Sequence, residues 1–166
     1  VYSIYRYLDK LHKDQIEKVK QVSLQHTLGL LGHVLSVVFY DVTTLYFESD
    51  KEDDLRKAGF SKDGKHQSPR IVLGLLVSQN GYPLDYDIFE GNKYEGDTLI
   101  PVIEHFEKKH CPKQLIVVAD AGLLSNKNIT LLKEKKYQYI LGARIKNESK
   151  NITDAILKLT WEDKQS

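Results

Sequence analysis

The chain has 166 residues, 41% of them hydrophobic and 28% charged, which suits one compact soluble domain. No run of eighteen apolar residues occurs, so no membrane-spanning helix is expected, and a single cysteine, Cys111, excludes an internal disulfide. The net charge of +1 gives no bulk attraction to nucleic acid, so any DNA contact must come from local patches.

The chain opens on Val1-Tyr2-Ser3 and contains no Met, and it reads as an excised piece of a longer protein. Residues 4–22 place Ile4, Leu8, Leu11, Ile16, Val19 and Val22 at helical spacing with polar residues between them, which predicts an amphipathic helix. Gly29 and Gly32 close that region. VLSVVFY (34–40) is apolar and rich in β-branched residues and predicts a buried strand. Asp41 follows, and 42–47 is again strand-like. Residues 48–69 are polar, with Gly59, Gly64 and Pro69, and read as a loop.

RIVLGLLVS (70–78) predicts a second buried strand, and Asn80-Gly81 is a tight turn signal. From Tyr82 to Phe89, Leu84, Tyr86 and Ile88 alternate with Asp85 and Asp87, which predicts a hairpin strand with one wetter face. Residues 97–110 predict a helix with Asp97 as N-cap, Pro101 in the first turn, and Leu99, Val102, Ile103 and Phe106 as its buried stripe. LIVVA (115–119) is a further apolar strand ending at Asp120-Ala121-Gly122. Ser125 is placed to cap a helix over 126–136, whose closing lysines suit the negative helix end. A strand over 137–143 and a short helix over 152–161 complete the reading. A hairpin followed by alternating helices and strands argues for an α/β fold, a mixed sheet with helices packed on it.

Two aspartates sit where apolar sequence makes a carboxylate costly: Asp41 inside VVFYDVTTLYF and Asp120 at the end of LIVVAD. If their strands are neighbours, the carboxylates face one another. At about 5 Å, two such charges repel by roughly 3 kcal/mol at an effective dielectric near 20. A divalent cation reverses that balance, and a pair of such ions can activate a water or 3′-hydroxyl and stabilise a leaving oxygen at a phosphodiester. Each Asp could equally serve as a local turn cap. Asp85 and Asp87 form a rival pair that alternation assigns to a solvated face. The six histidines show no ligand spacing.

Four segments carry a family resemblance. YDVTTLYFE (40–48) resembles the first catalytic motif of insertion-sequence DDE transposases of the IS-four-like superfamily, and 59–92 resembles the stretch that follows it there. VVADAGLLS (117–125) resembles the second catalytic motif, and YQYILGARIKN (137–147) the strand after it. The resemblance implies a ribonuclease-H-like mixed sheet of antiparallel hairpin strands plus parallel strands, flanked by helices. It implies a DNA transposase that cuts transposon-end phosphodiesters and joins the 3′-hydroxyl to target DNA. Asp41 and Asp120 match the first two acids and are implied to bind Mg²⁺ or Mn²⁺ in a two-metal site.

The family's third acid, a Glu flanked by Tyr, Arg and Lys, has no match here. Glu148 and Glu162 lack those flanks, so the third acid is expected beyond Ser166, with the chain truncated before the last catalytic helix and inactive alone. The implied division is a helical connector (1–33), the catalytic core (34–147), and the start of an insertion or following helical segment (148–166). Lys62, Lys65, His66, Arg70, Asn92, Arg144 and Lys146 are candidate DNA contacts, with surface solvation as the competing account. A homodimer on paired DNA ends and a bacterial cytoplasmic, nucleoid-associated location are implied by the resemblance alone. Two alternatives remain: a transposase remnant that only binds DNA or partners, and another two-metal nuclease of the same fold.

Overall fold

The computed structural model describes residues 2–30, 32, 36–59, 68–110, 115–145 and 148–159. An N-terminal helix runs as α1 (Tyr2–Lys10), a π-turn (Leu11–Gln15) and α2 (Ile16–Leu30). The strands are β1 (Val37–Tyr46), β2 (Arg70–Ser78), β3 (Pro83–Glu90), β4 (Ile116–Ala119) and β5 (Gln138–Leu141). A 3₁₀ turn (Glu95–Asp97) leads into α3 (Leu99–His110), α4 (Asn126–Glu134) lies between β4 and β5, and α5 (Lys150–Leu157) follows.

The five strands form one mixed sheet in the order β3-β2-β1-β4-β5. The pairs β1–β2 and β2–β3 are antiparallel, whereas β4 runs parallel to β1 and β5 parallel to β4. This is the ribonuclease-H-like order: a three-stranded meander extended on one side by two crossover strands. The crossovers use α3 and α4, as parallel pairing requires. Among the described residues no helix is long and apolar enough to cross a membrane.

Alternation along β1 decides which face is core. Val38 and Tyr40 are buried while Phe39, Asp41, Thr43 and Leu45 point to the opposite, open face. On the core face Leu76, Leu84, Val117 and Ala119 form one cluster with Leu99, Val102, Ile103 and Phe106 of α3 and Leu132 of α4. The helix stripe expected over 97–110 is therefore the stripe that packs. Tyr40 crosses this face and donates its hydroxyl to Thr98 Oγ1 at 2.7 Å. Its ring occupies the space a side chain on Gly74 would need: a Cβ there would lie 2.3 Å from the Tyr40 hydroxyl oxygen. Burial, with Asp87 and Asp41 nearby, pushes the Tyr40 phenol up, so it stays a donor. Gly74→Val should destabilise the fold by about 1–3 kcal/mol through overpacking, read as a lower urea midpoint at unchanged slope.

Several elements differ from expectation. The two strand-like runs on either side of Asp41 form one strand: β1 runs through it, because an outward position in a half-open strand tolerates a carboxylate. Asp97 is not the cap of α3; it lies in the 3₁₀ turn and pairs with Lys127 at 2.6 Å. The strand expected over 137–143 is shorter, and the last helix begins earlier, at Lys150.

The largest departure is Asp85. The alternation of β3 assigns it to solvent, yet it is 6% exposed. In the β2–β3 ladder Asp85 stands directly opposite the fully buried Leu76, on the same face, and α2 packs against this strand. Lys20 of α2 reaches Asp85 at 2.9 Å and donates to the Tyr86 carbonyl at 2.6 Å, and Lys109 and His110 of α3 stand behind it. Burial alone would raise the Asp85 carboxyl. The Lys20 hydrogen bond, the Tyr86 N–H and the charges of Lys20 and Lys109 outweigh it and hold the group below its ordinary value of 3.8. A lowered carboxylate pKa contributes stability that is fully present above the unfolded value and is lost as pH falls through the folded one. Acid should therefore release α2 from β3 below pH 3.8, with amides of Ile16–Leu30 exchanging faster than those of β1 and β2.

Candidate active site

The end of the sheet where β1 outruns β4 brings the two predicted acids together. β1 and β4 pair in parallel register up to Tyr40 with Ala119, both of which point into the core. One residue further on come Asp41, outward-facing on β1, and Asp120, the first residue after β4, and both are exposed. Adjacent strands lie about 4.8 Å apart, so the chain at Asp41 and at Asp120 leaves the sheet at neighbouring strand ends.

The competing role of local cap is present as well. Asp41 Oδ1 accepts the Val42 N–H at 2.8 Å, and Asp120 Oδ1 accepts the Gly122 N–H at 2.8 Å. Each cap uses one oxygen. Among the described residues no hydrogen bond or ion pair occupies the second oxygen of either carboxylate. Neither carboxylate has a cationic partner there, so both exposed groups stand without an ion pair from the protein. Hard, unpaired carboxylate oxygens on rigid strand positions suit Mg²⁺ or Mn²⁺, and the donor set fits such an ion. It is a pair, not a closed cage: among the described residues no three His, Cys, Asp or Glu gather as a metal cluster.

The Asp120 turn is held from several sides. Gly122 packs so close that a Cβ there would lie 2.9 Å from Asp120 Oδ1, which explains the glycine. Ser125 caps α4, its hydroxyl accepting the Asn128 N–H at 3.1 Å. Ser125→Ala should cost about 1 kcal/mol, measurable by urea unfolding. Asn128 itself is 2% exposed and donates its amide to the carbonyls of Gly96 at 2.8 Å and Leu123 at 2.9 Å. It ties the turn after β4 to the turn before α3. The sequence reading missed Asn128. Its signal was present: it shares the inward face of α4 with Leu132, four residues on, where an apolar residue is the norm.

The candidate DNA contacts have different fates. Lys62, Lys65, His66 and Lys146 lie outside the described residues. Arg70 is not the exposed cation expected of a phosphate contact. It is 5% exposed, donates Nε to the Gly91 carbonyl at 2.8 Å, and sits 6.0 Å from the Tyr46 ring centre. Its place at the start of β2, opposite Tyr46 and beneath the chain at Gly91, buries it. Asn92 is exposed and lines a cleft of about 400 Å³ with Tyr46, Arg70, Lys93, Tyr94 and Glu95. Val42, Thr43 and Thr44 also line it, whereas neither Asp41 nor Asp120 does. Arg144 is exposed but turned onto the backbone of the Asp120 turn.

Residues 32–164 match the family described as transposase DDE domain. The chain belongs to that family. No match was found among curated proteins. Distant likenesses appear among solved structures. The Mos1 transposase paired-end complex with left transposon end is 13% identical at a TM-score of 0.45, covering 75% of this chain and 41% of that one. The Mos1 strand transfer complex is 10% identical at 0.42, covering 83% and 51%. The Mos1 mariner paired-end complex with Mn is 14% identical at 0.41, covering 72% and 40%. The chain spans about half, or less, of the length of these solved chains.

Proposed function

We propose that this DDE domain is the catalytic core of a DNA transposase, cutting phosphodiesters at transposon ends and joining the 3′-hydroxyl to target DNA. The observation that supports the reading is the register of β1 and β4, which ends at Tyr40 with Ala119 and leaves Asp41 and Asp120 as the next residue of each chain segment, both exposed. Bound there, Mg²⁺ or Mn²⁺ would polarise a phosphodiester and lower the pKa of the attacking water or hydroxyl. Asp41 and Asp120 would hold the metal. The backbone N–H groups of Val42 and Gly122 fix each carboxylate from behind and leave its other oxygen for the ion.

In this reading residues 34–147 form the core and 1–33 a connector, with 148–166 opening an insertion or a further helical segment. DNA ends and target are the partners, engaged by a homodimer in the synaptic complex. The third carboxylate of the family pattern is unmatched in the chain, so residues 1–166 alone bind metal weakly and cleave poorly. The test compares strand cleavage and strand transfer on labelled element ends by the complete reading frame and by residues 1–166, each with Mg²⁺, with Mn²⁺ and with a chelator. Metal-dependent transfer by the complete frame and little by the shorter chain is expected. Transfer that survives chelation would remove the proposal's basis.

A further inference from the structure

We propose that Arg144 is a positioning residue for Asp120 and not a contact to DNA phosphate. The inference rests on the metal reading of the Asp41–Asp120 pair.

β5 ends beside β4, with Leu141 opposite Ala119, and the Gly142 N–H continues the ladder by donating to the Ala119 carbonyl at 3.0 Å. The chain after β5 is thereby fixed against the residue that precedes Asp120. From this anchored segment Arg144 reaches back. Its Nε donates to the Ala121 carbonyl at 2.9 Å and its Nη2 to the Gly122 carbonyl at 3.3 Å. These carbonyls belong to the two residues that follow Asp120. On the other side of the same turn, the Gly122 N–H holds Asp120 Oδ1.

The turn is therefore gripped at its carbonyls by the guanidinium and at its amide by the carboxylate. Nε and Nη2 lie on one edge of a rigid planar fork, so they can take consecutive carbonyls at once; a lysine ammonium offers no such edge. The positive charge is directed at neutral carbonyls, and no ion pair between Arg144 and Asp120 occurs among the described residues, which leaves the carboxylate's charge for a metal. Groups that orient a metal ligand in this way shift metal affinity by about 10- to 100-fold when removed. A phosphate contact behaves differently: its loss lowers the salt slope of DNA binding by about 0.9 and leaves metal affinity alone.

The experiment uses the full 166-residue chain, unsubstituted and as Arg144→Gln and Arg144→Lys. Free Mn²⁺ is followed by electron paramagnetic resonance during titration, and DNA affinity is measured across a salt series. Melting temperatures check that each variant is folded, and Arg144→Lys keeps the charge if Arg144→Gln does not fold. The expected result is Mn²⁺ binding about 10-fold weaker in both variants, no rescue by Lys, and an unchanged salt slope. Mn²⁺ affinity within twofold of the unsubstituted chain in Arg144→Lys overturns the inference. So does Lys rescue combined with a reduced slope in Arg144→Gln. Failure of the unsubstituted chain to bind Mn²⁺ overturns the underlying metal reading, and is distinct from variants that bind as well as it does.

Discussion

Asp41→Asn and Asp120→Asn, made singly in the complete reading frame, should each reduce metal-dependent strand cleavage by about 10³-fold. A catalytic metal stabilises charge in the transition state by several kcal/mol, and each ~1.4 kcal/mol is tenfold in rate. Asn keeps the local cap, since its carbonyl oxygen can still accept the Val42 or Gly122 N–H that each Asp accepts now. It removes the charge that is proposed to bind the cation. Both positions are exposed, so folding should be little affected, and melting temperature should move by no more than a few degrees. Under the proposed shared-metal reading, the double substitution should cost scarcely more than either single one. Additive losses would argue that each acid does separate work.

Phe106→Ala should destabilise the fold by about 3–5 kcal/mol, a large part of the ~5–15 kcal/mol available to a domain. Phe106 is fully buried on α3, in the cluster that joins α3 to the core face of the sheet. Its ring also packs against His110, with centroids 4.8 Å apart. Burial, with Lys109 beside it, depresses the His110 imidazole. Opening this site should relieve that burial and let the His110 pKa rise toward its ordinary value, which an NMR titration of the ring would follow. Catalytic loss in Phe106→Ala should track the unfolded fraction, whereas the Asp substitutions should lose activity while folded.

What was legible in the sequence follows the range of the interactions involved. β2, β3 and β4 show as apolar runs bounded by Asn80-Gly81 and by Asp120, signals that lie within a few residues. The apolar stripe of α3 and the Ser125 cap are local in the same sense. The position of Asp41 and Asp120 on neighbouring strands could be stated only as a condition, because strand order depends on pairings between segments far apart in the chain. Asp85 was misread for the same reason: its partner Lys20 lies 65 residues earlier, and its place opposite the buried Leu76 is set by pairing with another strand. Arg70 and Arg144 look like solvated cations by composition. Their carbonyl partners, Gly91 and the Asp120 turn, come from other elements, and only the assembled fold shows a guanidinium spent on backbone.

Anomalous diffraction from crystals of the chain grown with Mn²⁺ puts the shared-metal claim to its most direct test. The account predicts a peak on the open face, bonded to oxygens of both Asp41 and Asp120. A peak bonded to one of them alone, or Mn²⁺ bound only elsewhere on the protein, would contradict it.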